Sequence, residues 1–545
     1  MKKAKFFTAG ASMLALTAIL AACGGSKSSS TSSNTWNRME SDVISTMDAS
    51  KNTDAISGQA LNDTMEGLYH YEGTKLTPGL ATKVTKATNN GLTYTYKLRK
   101  STWSDGSKLT AQDFVYGWKR TVDPATKAQY AYLFSGIKNA DAIMAGKMKA
   151  DTLGVKAIND QTFEVTLEKP IPYFNTMLTN PAFFPQSEKA VKKYGAKYGT
   201  NSKAILTNGA YTLSGWNGTG NSWTETKNPK YWNAKNIHIK TIKTQVVKDS
   251  STALNLYNSK KLDQVTLGGQ QAASAKSNKD YKALKQTSAF YLELNEKKVP
   301  AFKNVKIRQA ISYALDRDQY IKKVLNDGSL ASTGVTPAGL MSDPSDSSVD
   351  FAKTAAKGTS QYTKYDPAKA KALFKEGLKE VGQSSLNLEL MTDDTTNAKT
   401  TAEYLQNVLE KNLPGMKVTT ATVPFKTRLT RSSSGQFDMV ITAWGADFPD
   451  AISFLDLFTS DNSYNDGKWS NAQYDALIKK SKTTDATNAT ARWNDLVEAQ
   501  QLLTKDMGVV PIYQRVLSTL QSPKISGLTY SPANSFNYTG AKLSN

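Results

Sequence analysis

Apolar and polar residues alternate through Leu92, Thr93, Tyr94, Thr95, Tyr96, Lys97 and Leu98, the period of a strand with one face buried. Phe163, Val165 and Leu167 repeat that pattern. Asn159 and Asp160 stand just before them as turn residues, so Val155–Ile158 and Thr162–Leu167 are expected to form a hairpin. Between these strands, Thr110 is the expected N-cap of a helix that holds Asp113 in its first turn and runs on through Phe114, Val115, Trp118 and Arg120. Further along, Ile307, Ala310, Ile311, Ala314, Leu315, Ile321, Val324 and Leu325 recur mostly at three- and four-residue spacings. They predict a long amphipathic helix over 305–325 or a closely joined pair. Asp366 and Pro367 start another helix.

Short apolar segments at Leu386–Met391, Val418–Val423 and Met439–Ala443 alternate with helical stretches, which predicts α/β lobes. No long linker separates them. The expected organisation is therefore discontinuous domains joined by short hinge segments, an arrangement suited to closure on a ligand.

The first residues follow a different pattern. Lys2, Lys3 and Lys5 precede an apolar stretch, Ala11–Leu20, that is shorter than the ~20 residues a membrane-spanning helix needs. It reads as a secretory signal. Leu20, Ala21, Ala22 and Cys23, followed by Gly24 and Gly25, resemble the lipobox of bacterial lipoproteins, in which the cysteine is acylated and becomes the mature N-terminus. Residues 1–22 would then be the signal, and the Ser-rich run 23–35 a flexible tether. The chain has 1 cysteine, so an internal disulfide and a cysteine-based metal site are both excluded. These features put the chain at the extracellular face of a cell membrane, held by lipid.

Charge adds little that is specific. Lys+Arg number 68 and Asp+Glu 47, a formal balance of +21. The lysines are scattered on presumed helix faces, as at Lys369, Lys371, Lys375 and Lys379, and not gathered in an arm with interleaved aromatics, so no nucleic-acid partner is expected. An anchored basic chain instead meets anionic lipid headgroups and, in a Gram-positive envelope, anionic wall polymers. Enzyme chemistry lacks its parts. The two histidines, His70 and His238, stand in no G-x-S-x-G or H-E-x-x-H context. Asp393 and Asp394 are adjacent, so on a strand they point to opposite faces and make a poor glycosidase pair. No enzyme, metal or other cofactor is expected, and no ATP-binding loop occurs, so any energy must come from another subunit.

Five blocks, in order, carry a family resemblance. They are Met65 to Leu68; Tyr96 to Arg99 with Trp103 to Gly106 and Leu109 to Arg120 (LTAQDFVYGWKR); Asn228 to Trp232 with Thr252 to Tyr257; Phe302 to Arg317 (VKIRQAISYALDR inside it); and Ala443 to Asp450 with Phe454 to Asp456. Together they resemble the extracellular solute-binding proteins, family 5, of the oligopeptide and dipeptide ABC importers. The resemblance implies a two-lobed α/β protein of the type II periplasmic-binding fold, peptide-binding subclass, with an extra inserted domain. It places lobe I at 36–65, 186–290 and 511–545, the inserted small domain at 66–185 and lobe II at 291–510.

The same resemblance implies a monomer that captures an extended peptide and delivers it to permease subunits. A binder of many peptides must hold what all peptides share, and strand addition does this. The resemblance implies that an extended segment at Asp54, Ala55, Ile56 and Ser57 and another at Thr442, Ala443, Trp444 and Gly445 flank the ligand backbone, with Gly445 permitting close approach. Asp447 falls where the family places the carboxylate that pairs with the ligand α-amino group. Trp444 is a candidate pocket wall, while Trp103 and Trp118 are expected in the core. Arg428 and Arg431 are conceivable partners of the ligand carboxylate, but a solvated face is the better reading. A pheromone receptor or surface adhesin on the same fold is the alternative function.

Overall fold

Thirteen strands and four helices suffice to position the site. They are β1 (Thr35–Glu40), α1 (Ala55–Thr64), β2 (Thr93–Lys97), α2 (Ala111–Val122), β3 (Val155–Asn159), β4 (Thr162–Thr166), β5 (Tyr211–Ser214), β6 (Ser222–Lys227), β7 (Thr241–Val246), β8 (Gln264–Leu267), β9 (Tyr281–Leu294), α3 (Val305–Tyr313), β10 (Leu386–Asp393), β11 (Met416–Val423), α4 (Phe425–Ser433), β12 (Met439–Gly445) and β13 (Val510–Gln521). The computed structural model describes residues 34–531 and 533–544. The signal segment, Cys23 and the tether up to Ser33 lie outside the described residues.

The alternating pattern of Tyr94 and Tyr96 forms β2, which pairs antiparallel with β4 so that Tyr94 stands opposite Val165 and Tyr96 opposite Phe163. β3 and β4 form the expected hairpin, with Asn159 paired to Thr162 and the turn at Asp160–Gln161. α2 covers this small sheet: Phe114 and Trp118 pack on Phe163 at centroid distances of 5.3 and 5.0 Å. Its start follows from the sequence, because the Asp113 carboxylate accepts the N–H of the N-cap Thr110 at 2.7 Å. Trp103 and Trp118 are core residues, as expected.

Among the described residues, an eleven-stranded sheet runs in the order β11-β10-β12-β9-β13-β8-β1-β7-β6-β5, with Leu330–Ala331 pairing β13 off that path. Two long strands cross its middle. The first part of β9, Tyr281–Lys285, pairs with Leu520–Val516 of β13, and its last part pairs with β12. The register of β9 on β13 shifts between Lys285 and Ala289 and again between Phe290 and Tyr291. Such irregularities bend a strand and raise its twist. The 305–325 region is the closely joined pair: α3 ends at Tyr313, and Asp316 opens a new helical run by accepting the Gln319 N–H at 2.9 Å.

β9 and β12 divide their side chains by the period-two rule. Leu292, Leu294, Met439 and Ile441 bury against Ile307, Ile311, Leu388 and Leu405 on one face. Ala289, Tyr291 and Trp444 turn to the other face, into a core that continues through the aromatic residues of the small-sheet region. In the other half of the sheet, Arg38 of the interior strand β1 is almost fully buried with Asp63 at 2.9 Å and Glu225 at 3.3 Å. Lys369, Lys371, Lys375 and Lys379 are exposed, as a solvated face requires. Among the described residues, no helix is long and apolar enough to cross a membrane.

Candidate functional site

β12 has one edge in use and one largely open. All of Met439–Gly445 pairs antiparallel with Leu294–Ser288 of β9. On its other side β12 meets β10 only at Met439 and Val440, because β10 leaves toward β11, with which it pairs along its whole length. Among the described residues, the outer edge of Ile441 to Gly445 therefore has no strand partner. Such an edge is a template for another strand.

Asp447 lies just past the end of that strand and is buried. Its Oδ1 accepts hydrogen bonds from the Tyr130 hydroxyl at 2.8 Å and from Asn180 Nδ2 at 2.9 Å. Ser453 Oγ donates to Oδ2 at 3.5 Å and accepts the Asp447 N–H at 2.9 Å. Burial pushes the carboxyl up to about 7, against the opposing pull of the Tyr130, Asn180 and Ser453 hydrogen bonds. Every one of these donors is neutral. Among the described residues no cation pairs with Asp447, so its charge is held by dipoles alone.

Aromatic rings enclose the carboxyl. Trp444 packs edge-on against Tyr464 at 4.6 Å and tilted against Tyr130 at 5.8 Å, and Tyr132 lies 5.9 Å from Tyr464. The Tyr132 and Tyr464 hydroxyls are buried without a hydrogen-bond partner, while the Trp444 indole helps to hold the Asp447 charge. Orphaned buried donors are costly, about 1–3 kcal/mol each. A cavity of about 20 Å³ adjoins, lined by Tyr132, Tyr173, Phe448, Ser453, Asp456 and Lys482.

The segment expected to be extended at Asp54, Ala55, Ile56 and Ser57 is not a strand. Asp54 is the N-cap of α1, and its side chain accepts the Ser57 N–H at 2.8 Å, which fixes Ala55, Ile56 and Ser57 as the first helical turn. Their N–H groups point along the helix axis and cannot form a ladder. The Asp54 carboxylate also takes the Ser45 hydroxyl, and Ser45 belongs to the irregular run before α1. Burial raises the Asp54 carboxyl above its ordinary range.

Arg428 is also not on a solvated face. It is buried, pairs with Asp393 at 2.8 Å and donates to Thr442 Oγ1 at 3.2 Å, beside the open edge of β12. Arg431 is partly exposed and pairs with Glu389 at 2.5 Å. Asp394 goes to Lys248 instead, so the adjacent aspartates have separate partners. Gly445 is needed by a neighbour within the chain: a Cβ there would stand 2.9 Å from Asn534 Nδ2. His70 contacts Glu66 at 2.8 Å and Glu72 at 3.5 Å, and these carboxylates overcome the effect of burial to raise it to about 10.

Sequence reading passed over Tyr130, Asn180, Ser453 and Tyr464. Tyr130 and Asn180 are 317 and 267 residues away from Asp447, so no spacing along the chain connects them. Asn180 gave a local signal, standing before Pro181 where its Oδ1 accepts the Ala182 N–H, but that signal reads as a turn.

Comparison with known proteins places this geometry. The family model described as bacterial extracellular solute-binding proteins, family 5, middle, matches residues 75–466. The chain is 36% identical over 545 residues to a dipeptide-binding protein of Lactococcus lactis subsp. cremoris, covering 97% of each. Listeria monocytogenes OppA bound to peptide superposes with a TM-score of 0.89 at 38% identity, over 94% of this chain and 99% of that one. The pheromone receptor PrgZ superposes at 0.88 with 35% identity, over 94% and 100%. Conformation also separates the matches. The Escherichia coli murein tripeptide binding protein MppA gives 0.83, and the unliganded open form of MppA gives 0.60, both at 26% identity.

Proposed function

This chain belongs to the family 5 bacterial extracellular solute-binding proteins, and from that membership we propose that it captures extended oligopeptides between two closing lobes and delivers them to an ABC importer. The fold is the type II, peptide-binding form of the periplasmic-binding architecture. One observation carries the reading: a buried carboxylate with only neutral partners stands at the end of a strand whose outer edge is open. The edge of Thr442, Ala443, Trp444 and Gly445 would pair with the peptide backbone, and Asp447 would hold its α-ammonium.

The rest of the mechanism follows from position. Tyr130 and Asn180 come from the proposed inserted domain and Asp447 from the proposed lobe II, so closure assembles the amine site from both sides. Trp444 and Tyr464 would form an apolar wall that accepts varied side chains. Arg428 would stand beside the ligand backbone farther along the edge. The hinge would lie where β9 and β13 cross from one half of the sheet to the other, at the register shifts of β9. Lobe I would comprise 36–65, 186–290 and 511–545, the inserted domain 66–185, and lobe II 291–510. Acylation of Cys23 would hold the body at the cell surface, and no catalytic step is required. Uptake is preferred to signalling because the amine and backbone are read without a demand for one sequence.

Titration of the mature chain with tri- to octapeptides, each with a free and an N-acetylated terminus, tests this. Micromolar or tighter binding of the free-amine peptide, weakened on the order of 10²-fold but still measurable on acetylation, is the expected result. pH gives a second expectation. A free peptide amine, with an ordinary value near 8, stays protonated below pH 7, whereas Asp447, raised to about 7, takes up a proton there. Binding then releases that proton, so affinity should fall by up to about tenfold per pH unit between pH 7 and 5 and stay flat for acetylated peptides. Binding of both peptide forms with a flat pH profile would remove Asp447 from the mechanism.

A further inference from the structure

Two long stretches of the chain contribute no exposed acid. From 189 to 248 there are 11 lysines and 1 acidic residue, Glu225, which is fully buried beside Arg38. From 507 to 545 there is neither aspartate nor glutamate. Along the chain these lysines are spread out, but the fold brings several of them to the point where the described residues begin. The Lys240 N–H donates to the Asn34 side chain at 3.0 Å, and Lys524 Nζ donates to the Thr35 carbonyl at 3.4 Å. The Gly540 N–H ties the C-terminal segment to the Asn236 carbonyl, next to Lys235, at 2.9 Å. Asp263, an acid in contact with this group, is buried and paired with Lys524 at 2.6 Å.

β1, β7, β6 and β5 run side by side here. Trp36, Ile242, Trp223 and Tyr211 are buried on one face, so by the period-two rule their neighbours along each strand occupy the other. There Thr35, Thr241, Thr226 and Thr212 stand in one row across the four strands, and Lys243 stands in the next row between Asn37 and Thr224. Each of these is exposed or half-buried, and Lys235 and Lys240 are exposed as well. Lysines among hydroxyls make a surface that attracts anionic oxygens without inserting into hydrocarbon.

Residues 23–33, 11 in number, link this point to Cys23 and reach at most about 40 Å. We propose that this end of the sheet docks on the anionic headgroup surface of the membrane that holds the chain. Lys235, Lys240 and Lys243 supply the charge, and the threonine row supplies hydrogen bonds to headgroup phosphates. The short link makes the contact effectively intramolecular, so an attraction too weak to recruit a free protein still orients an anchored one. β5 is at one end of the sheet and β12 is third from the other, so docking leaves the proposed peptide edge free. The inference rests on the proposed acylation of Cys23 for its geometry.

The test measures co-sedimentation of the mature chain, made with Cys23→Ala so that it carries no lipid, with vesicles of phosphatidylcholine alone or mixed equally with phosphatidylglycerol. Binding to the mixed vesicles at ~0.05 M salt should fall at least about tenfold at ~0.5 M, where screening shortens the reach of the charges. Phosphatidylcholine alone should bind at least about tenfold more weakly than the mixture. Each lysine at an anionic surface is worth about fivefold, so Lys235→Glu, Lys240→Glu and Lys243→Glu together should weaken binding by more than about tenfold. The charge-matched control, Lys371→Glu, Lys375→Glu and Lys379→Glu on a remote exposed face, should change it by less than about threefold. Peptide affinity should stay within about twofold in both triples. Should the first triple fail to fold, Lys235→Gln, Lys240→Gln and Lys243→Gln read the same loss. No binding to the mixed vesicles, equal losses in the two triples, or a preference for soluble poly(glycerol phosphate) over vesicles overturns the docking surface. Because the protein tested carries no lipid, each of those results leaves acylation of Cys23 and peptide capture standing.

Discussion

Asp447→Asn is expected to weaken binding of a free-amine peptide on the order of 10²-fold, with little change for the same peptide N-acetylated. Truncating one partner of a buried, hydrogen-bonded charge pair costs about 2–5 kcal/mol, much of it the penalty of leaving the other charge desolvated and unpaired. A loss of ~3 kcal/mol corresponds to ~10² in affinity. Asparagine keeps the shape and can still accept from Tyr130 and Asn180, which hold the site at 2.8 and 2.9 Å. The fold should therefore survive, and the loss should track the ligand amine. Titration calorimetry on both peptide forms gives the answer. A change below threefold for the free amine would mean that the ammonium is held elsewhere.

Placement of the three polar partners of Asp447, Tyr130, Asn180 and Ser453, explains why the site was only half legible in the sequence. Strand periodicity at Tyr94 and Tyr96, the cap at Thr110 and the open loop after Gly445 are local, and local patterns survive being read one residue at a time. The same local chemistry was available at Asp54, where an aspartate three residues before Ser57 is an N-cap pattern, but the expectation of a flanking strand overrode it. Arg428 was misread for a different reason: helix α4 is polar on most sides, and the burial of one arginine depends on Asp393, a residue from another element. The enclosure of Asp447 by Tyr130 and Asn180 exists only once two distant parts of the chain meet. Tyr464 and Trp444 complete it from positions twenty residues apart, yet their contact too depends on how a loop folds back over β12.

The TM-score contrast bears on what those contacts mean. The unliganded open form of MppA superposes far less well than the other MppA structure at the same identity, so the arrangement described here differs from that open form. In it, Tyr130 and Asn180 spend their hydrogen bonds on Asp447, and the Tyr173 and Phe448 rings stack at 4.9 Å across the same junction. On the proposed reading, closure and amine capture would be built from shared residues. A ligand that charges Asp447 strengthens the acceptor for both donors, which gives the ligand a differential affinity for the closed state.

A comparable stability effect should follow from Arg38→Ala, far from the cleft. Arg38 is 2% exposed, and its guanidinium donates to Asp63 at 2.9 Å, Thr244 at 3.0 Å and Tyr538 at 3.0 Å, with Glu225 at 3.3 Å. Removing it leaves two carboxylates in a dry interior, a change that costs about 3–5 kcal/mol in buried pairs elsewhere. Glu225 already sits at about 8, raised chiefly by burial and held down by Arg38. A carboxyl with a folded value above its unfolded one contributes stability at low pH and loses it as pH rises through the folded value. Without Arg38 that value climbs further, so, compared at about pH 6 and about pH 9, the variant should lag by a constant margin up to neutrality and fall further behind as pH rises through about 8, where only the unmutated chain's Glu225 ionises. Urea unfolding at the two pH values reads this directly. Equal losses at both would show that the missing guanidinium matters through packing on Tyr538 and not through charge. Adding Asp63→Asn and Glu225→Gln to the variant should restore much of the stability, because replacing both sides of a buried pair removes the uncompensated charge.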